Sequence, residues 1–186
     1  MQSSVIVLAG GTSRRFGADK TSQPFGTSTV LGHLVDSVPR GWPVVVVGVP
    51  TPLPREVVWT RETPPGGGPL AAMTAGFSLV TTDLAVVVAG DMPFGGRVCQ
   101  LLADELDAEP DVDAVAARRG AAHSNPLLAA YRVAAARLAL PADCTNLPAR
   151  LLLTALRHLE LLVDDDAALG VDTPEALAQA RRRLRA

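Results

Sequence analysis

Lysine is nearly absent from this 186-residue chain: 16 of its 17 cationic residues are arginine, and Lys20 alone carries an ammonium group. An excess of either charge is missing as well. The cations face 19 carboxylates, giving a formal net charge of −2 and a pI near 5.9. The chain therefore lacks the broad basic field that supplies most non-specific nucleic-acid affinity, which argues against a DNA- or RNA-binding module. Long apolar runs are absent too. The longest candidates, Pro43 to Gly48 and Leu84 to Gly90, have strand length and fall far short of the about 20 residues of a spanning helix, so no membrane span is expected. Met1-Gln2-Ser3-Ser4 has neither the basic nor the apolar region of a signal peptide, which predicts a cytoplasmic location. Two cysteines, Cys99 and Cys144, make no disulfide framework and no paired metal motif, and are expected as reduced thiols. No internal repeat is present.

What remains is a chain that is 48% hydrophobic and 19% charged, with a mean hydropathy of +0.24. Such a chain predicts one domain over residues 1–186, long enough to bury roughly 70% of its unfolded surface. Five short runs rich in Val, Leu and Ala read as strands: Val5 to Leu8, Val44 to Val47, Leu84 to Val88, Asp113 to Ala116 and Leu159 to Val163. None alternates polar with apolar, the pattern of parallel strands covered on both faces. Between and after them lie segments of helical period: Val30 to Val38, Leu70 to Leu79, Val98 to Leu106, Val133 to Leu140, Pro148 to Leu156 and Pro174 to Leu184. Pro69 after three glycines and Thr173-Pro174-Glu175 are helix starts, the second an N-cap followed by an N1 proline. The alternation predicts an α/β fold, a three-layer, doubly wound, mostly parallel sheet of Rossmann-like type. One segment, Gly120 to Tyr131, breaks the alternation and reads as a small hairpin or edge-strand insertion serving as a substrate-side flap. Val49 to Arg55 is a connecting loop, and Val57 to Thr60 is apolar enough to return to the sheet. Arg181 to Arg185 reads as a solvated helix end, where cations meet the dipole favourably.

The densest chemical signal follows the first strand: Leu8-Ala9-Gly10-Gly11-Thr12-Ser13-Arg14-Arg15-Phe16-Gly17-Ala18-Asp19-Lys20. Paired glycines, hydroxyls, arginines and the lone lysine after a strand are what a polyphosphate site requires, namely close backbone approach, N–H donors and cations. The two common phosphate fingerprints are missing. Lys20 is separated from Gly17 by two residues, unlike the P-loop lysine, and G-x-G-x-x-G does not occur in this loop. A second signal is Val86-Val87-Val88-Ala89-Gly90-Asp91-Met92-Pro93, which places Asp91 just past a buried strand at the same sheet edge. There it can hold Mg²⁺ between nucleotide phosphates or cap the following helix. The third, Pro64-Pro65-Gly66-Gly67-Gly68-Pro69-Leu70-Ala71, lets backbone approach a flat ligand, or is a plain flexible loop.

Together and in this order, these segments resemble the nucleotidyltransferases that make nucleotide-activated cofactors, above all the molybdenum cofactor guanylyltransferases of the MobA-like family. That family reads L-A-G-G-x-S-x-R-x-G-x-D-K at its start, then G-P-L-A, then D-x-P after a central strand, and finally N/D-T-P-E-x-L, here Asp172-Thr173-Pro174-Glu175-Ala176-Leu177. The likeness spans almost the whole chain and implies a nucleotidyltransferase fold. It implies that Leu8, Ala9 and Gly10 contact base and ribose through backbone, that Gly11, Arg15 and Lys20 hold the triphosphate, and that Asp91 ligates Mg²⁺. Arg15, Lys20 and Asp91 would then be the catalytic set. Asp172 matches a position that approaches metal or substrate in related enzymes, with helix capping as the alternative. His123, Ser124 and Asn125 fall on the pterin side.

Two family positions differ. Gly48-Val49-Pro50 stands where a polar residue is usual, and Arg61-Glu62 stands where an acidic base-reading residue is usual, leaving Glu62 as the substitute. The second glycine of Leu8-Ala9-Gly10-Gly11 leans toward guanine. The implied partners are GTP or another NTP and a small phosphorylated acceptor, molybdopterin, with transient contact to other cofactor-biosynthesis proteins and no nucleic acid or membrane. The implied reaction is Mg²⁺-dependent transfer of GMP with release of pyrophosphate. The alternatives are cytidylyl or other NTP transfer to a different phosphorylated metabolite, and a nucleotide-binding regulatory protein that has lost catalysis.

Overall fold

A computed structural model describes residues 1–10 and 19–184. In chain order its elements are β1 (Ser3–Leu8), β2 (Pro24–Phe25), β3 (Ser28–Thr29), α1 (Val30–Ser37), β4 (Val44–Val47), β5 (Val58–Thr60), α2 (Pro69–Leu79) and β6 (Leu84–Ala89). A short 3-10 turn (Gly95–Val98) leads into α3 (Cys99–Ala108), followed by β7 (Ala114–Arg118), β8 (Asn125–Arg132), α4 (Val133–Ala139), α5 (Arg150–Ala155), β9 (His158–Leu162) and α6 (Pro174–Arg183). Local chemistry sets several starts. The Thr29 hydroxyl accepts from Gly32 N–H at 3.0 Å, and the Thr173 hydroxyl accepts from Ala176 N–H at 3.2 Å ahead of the N1 Pro174.

Seven strands form one sheet in the order β5-β4-β1-β6-β8-β7-β9. Every pairing is parallel except the two made by β8, which runs antiparallel to both β6 and β7. The pleat sends alternate residues of β1 to opposite layers. Val5 and Val7 pack with Leu31, Leu34, Leu102 and Leu106 from α1 and α3, while Ile6 and Leu8 pack with Leu70, Met73 and Phe77 of α2 and Leu152 and Leu153 of α5. The expected three-layer α/β sandwich is therefore observed, because strands covered on both faces carry apolar residues at every position. Among the described residues no helix is long and apolar enough to cross a membrane. Both cysteines are free and buried, and burial pushes the Cys99 thiol up to about 12.

The structure refines three expectations. Gly120 to Tyr131 does contribute to a hairpin, formed by β7 and β8 around residues 119–124, but β8 lies inside the sheet and its connector, not the strand, projects beyond the pairing. β9 is not covered on both faces. It is the outermost strand, paired only with β7, and Leu159 and Leu162 remain 38% and 61% exposed. The arginines of α6 are more than a solvated helix end. Arg181 donates from Nε and Nη2 to the Pro24 carbonyl at 3.1 and 2.6 Å, and Arg183 donates to Asp166 at 2.5 Å. Arg185 lies outside the described residues.

These contacts dock α6 on the two-stranded β2-β3 ribbon over a third small core of Phe25, Val30, Phe94, Val171, Leu177 and Ala180. At its margin the His33 ring meets Phe25 and Phe94 edge-on, at centroid distances of 5.0 and 5.7 Å. His33 Nε2 is buried with no hydrogen-bond partner among the described residues. Burial, reinforced by the nearby Arg97 charge and opposed by Asp36, holds its pKa below the ordinary histidine value.

Candidate active site

Open α/β sheets bind ligands beyond the carboxyl ends of their strands, and three of the predicted segments converge there. Register places Leu8, the last residue of β1, directly between Val47 of β4 and Ala89 of β6. Past that row the chain after β1 runs through a slot without side chains. Ala9 N–H donates to Val47 O at 2.8 Å and Gly90 N–H donates to Leu8 O at 2.9 Å. A Cβ on Gly48 would lie 3.2 Å from Ala9 Cβ, and one on Gly90 would lie 3.0 Å from both Ala9 Cα and Leu8 O. Gly48, which stands where the resembled family usually has a polar residue, is thus pressed against Ala9, where a side chain fits only if its neighbours give way. Leu8 is buried, Ala9 is half-buried and Gly10 is exposed at the mouth. Gly11 and Arg15 lie outside the described residues, as does everything from 11 to 18.

Lys20, by contrast, is described and held. Asp19 Oδ1 accepts from Thr21 N–H at 3.0 Å and from its hydroxyl at 2.8 Å, while the Asp19 carbonyl accepts from Ser22 Oγ and Gln23 Nε2 at 2.9 and 3.1 Å. From this turn the Lys20 ammonium donates to Asp91 Oδ2 and, at 2.8 Å, to Asp172 Oδ1. Burial alone would lower its pKa, but the hydrogen bonds and charges of Asp172 and Asp91 outweigh that and raise it above 10.5.

Neither carboxylate acts as a helix cap. Thr173 caps α6, and Asp91 turns toward Lys20 while its backbone carbonyl accepts from Val171 N–H at 2.9 Å, fastening the α6 approach to the end of β6. Asn125 lies beside the same loop, with Nδ2 3.9 Å from Met92 Sδ and Oδ1 accepting from Leu127 N–H at 2.9 Å. His123 is exposed on the connector ahead of it, and Ser124 is half-buried.

An ammonium seated between two carboxylates marks a position suited to a hard cation. Mg²⁺ is characteristically held by one or two carboxylates, with substrate phosphates and water completing its octahedral shell. Asp91 and Asp172 supply that number, so the residues present fit the ion. Among the described residues no group of three or more His, Cys, Asp and Glu gathers into an all-protein metal cage.

Just ahead of the third segment, Glu62 places a carboxylate beside Gly10. Glu62 is buried, its Oε1 accepts from Gly66 N–H at 2.8 Å, and its Oε2 is buried with no partner among the described residues. Both oxygens lie 3.8 to 3.9 Å from where a Cβ on Gly10 would sit. An unpaired buried acceptor is costly and calls for a donor. The edge of a base resting on Gly10 would bring one. What sequence reading missed is the far wall of this pocket. Residues 141–147, which lie between two helical segments and were given no reading of their own, pack against the glycine turn that follows Glu62, and the cue available was the pair of turn formers Asp143 and Asn146.

A family model described as a MobA-like NTP transferase domain matches residues 5–160. A probable molybdenum cofactor guanylyltransferase from Mycobacterium tuberculosis is 42% identical over 97 residues, covering 48% of this chain and 48% of that protein. The chain thus spans about half the length of the curated relatives it matches in this way. Among solved structures, molybdopterin-guanine dinucleotide biosynthesis protein A from Archaeoglobus fulgidus superposes with a TM-score of 0.72 at 21% identity, covering 98% of each chain. The 2-C-methyl-D-erythritol 4-phosphate cytidylyltransferase from Thermus thermophilus gives 0.70 at 17% identity over 100% of each. At these identities the two structures share the fold of this chain.

Proposed function

Because the chain belongs to the MobA-like NTP transferase family, we propose that residues 1–186 act as one nucleotidyltransferase domain. It moves GMP from GTP to the terminal phosphate of a phosphorylated pterin, molybdopterin, and releases pyrophosphate. The observation that carries this reading is the Lys20 ammonium seated between Asp91 and Asp172 at the strand edge that opens onto the Ala9-Gly10 slot.

In the reaction proposed, an oxygen of the acceptor phosphate forms a bond to the α-phosphorus as the bond to the bridging α,β-oxygen breaks in line, and pyrophosphate leaves with the electron pair. No side-chain nucleophile is needed, and catalysis is positioning plus charge stabilisation. Backbone at Leu8, Ala9 and Gly10 lies against base and ribose. Glu62 accepts from the guanine N1–H and 2-amino groups, donors that adenine does not offer together. Asp91 and Asp172 would hold Mg²⁺, which when bound neutralises phosphate charge and polarises the reacting phosphoryl group. Lys20 then turns its ammonium from the carboxylates to phosphate oxygens, with Arg15 and Gly11 assigned to the same triphosphate by the family resemblance. Asn125, beside Met92, faces the acceptor side.

The test is pyrophosphate release with Mg²⁺ and molybdopterin, comparing GTP, CTP, ATP and UTP. GTP is expected to be the preferred donor, and Glu62→Gln to lose about tenfold or more of the preference for GTP over ATP. Absence of pyrophosphate release while a positive-control enzyme works would refute the activity. Equal use of GTP and CTP would refute the base assignment.

A further inference from the structure

The carboxylate assigned to the guanine edge stands on a weak footing of its own. Among the described residues Glu62 is fixed by one hydrogen bond, from Gly66 N–H, at a turn containing three consecutive glycines, and Gly66 and Gly68 have φ of 80° and 91°. Such a turn has a wide choice of backbone states. Its other described internal tie is Gly67 N–H to Pro64 O at 3.0 Å.

The remaining support comes from a different part of the chain, the connection between α4 and α5. There Leu147 N–H donates to Cys144 O at 3.2 Å, closing a four-residue turn whose third residue, Asn146, has φ 59°. Asn146 is the one non-glycine with positive φ among the described residues, and this conformation is what turns its N–H onto Gly67 O at 2.6 Å. The contact is close along its length. A Cβ on Gly68 would lie 3.4 Å from Asn146 Cα, and Leu70 N–H donates to Leu147 O at 3.3 Å. The turn is itself tied to α2, since Cys144 Sγ lies 3.2 Å from Thr74 Oγ1, a hydroxyl that also donates to Leu70 O at 2.9 Å, and Cys144 Sγ donates to Pro141 O at 3.2 Å.

The geometry points to Asn146 as a positioning residue for base selection. Its left-handed backbone braces the Gly66–Gly68 turn and thereby holds the Glu62 carboxylate beside Gly10, with one oxygen that has no partner among the described residues. This inference rests on the base-reading role proposed for Glu62. Asparagine is suited to the place because its short polar side chain tolerates the left-handed region, which alanine resists. The brace acts through backbone and leaves the phosphate site untouched, so its loss should alter which nucleotide is chosen more than how fast the preferred one reacts.

The experiment compares kcat/KM for GTP and ATP in Asn146→Ala, Asn146→Gly, Glu62→Gln and the Glu62→Gln/Asn146→Ala pair, with thermal melting of each. The left-handed penalty predicts that Asn146→Ala lowers the GTP-over-ATP ratio by roughly tenfold, chiefly through KM for GTP. Asn146→Gly, which adopts the same φ freely, should retain the wild-type ratio. The double variant should discriminate no worse than Glu62→Gln alone, because two residues acting through one contact are not additive. If Glu62→Gln loses discrimination while Asn146→Ala keeps it, or if Asn146→Ala lowers activity with every nucleotide equally, the brace is refuted and the Glu62 reading stands. If Glu62→Gln keeps full guanine preference, both fall. Should Asn146→Ala fail to fold, Thr74→Val releases the same turn from α2 without a change in φ. A lowered ratio then supports the brace, and an unchanged one overturns it.

Discussion

Replacing Lys20 with alanine tests the site where its parts meet. The ammonium donates to two carboxylates of very different exposure, with side-chain values of 23% for Lys20, 15% for Asp91 and 67% for Asp172. Exposed ion pairs contribute about 0–1 kcal/mol, so the Asp172 contact adds little, and the largely sheltered Asp91 contact sets the size of the effect at about 1 kcal/mol. For a chain of this length that corresponds to a fall in Tm of about 2–4 °C. Truncation also leaves two carboxylates converging with no cation between them among the described residues. Millimolar Mg²⁺ should therefore raise the Tm of Lys20→Ala by more than it raises that of the wild type, in which the divalent ion must displace the ammonium. Turnover behaves differently. If Lys20 moves to phosphate oxygens when nucleotide and metal bind, its loss removes charge stabilisation of the transition state, and kcat should drop on the order of 10²-fold whatever the Mg²⁺ concentration. Lys20→Arg should rescue the melting temperature better than the rate, since a planar guanidinium can pair with a carboxylate but does not replace a compact point charge. Calorimetric melting with and without Mg²⁺, together with pyrophosphate release, measures all of these. A Lys20→Ala protein that melts like the wild type, gains no extra Mg²⁺ response and turns over within a few-fold of normal would refute the reasoning.

Three further outcomes are expected. Asp91→Asn should keep metal-free nucleotide binding but lose Mg²⁺-dependent turnover by about 10²-fold or more; retained turnover would remove Asp91 from the proposed metal site. Gly90→Ala places a Cβ 3.0 Å from the backbone of Ala9 and Leu8 and must displace the slot. Calorimetric titration should show GTP binding weakened by roughly tenfold, and an unchanged Kd would mean that the slot does not hold the nucleotide. His33 takes a proton near pH 6.5 in the unfolded chain and only at lower pH in the fold. The unfolded state therefore binds more protons in that window, and the contribution of neutral His33 is lost as pH falls from about 6.5 through the lower folded value. His33→Phe should lose less stability than the wild type between pH 7.5 and 5.5, whereas parallel curves would show that His33 does not titrate with unfolding.

The sheet was readable because its strands are contiguous Val, Leu and Ala runs, a pattern that buried parallel strands share and few other segments imitate. The position of β8 was not. An eight-residue strand looks the same at an edge or inside a sheet, and its neighbours β6 and β7 are chosen by tertiary pairing. Two-residue strands such as β2 and β3 are too short to show any period. In the site, Lys20 and Asp91 were legible because each follows a buried strand. The Lys20 contact with Asp172 was not, because 152 residues separate the pair and Thr173 beside Asp172 offers a sufficient local account of that region as a helix cap. Glu62 entered only as the substitute for an acidic position of the resembled family, and only packing shows that one of its oxygens is buried with no partner among the described residues. Asn146 was silent because what matters there is a backbone angle.

The spacing of the cation seat along the chain also orders events in time. Lys20 is made first, Asp91 follows 71 residues later, and Asp172 comes 152 residues after Lys20. At a synthesis rate of about 5–20 residues per second, roughly 8 to 30 s pass between the first and last of these residues. During that interval the central strands β1, β4 and β6 and the glycine slot between them can already assemble, but the second carboxylate does not yet exist and Val171 has not yet fastened to the end of β6. A growing chain can thus form the glycine slot before the proposed cation seat exists, and the two halves of the candidate site are joined only once the segment leading into α6 has docked.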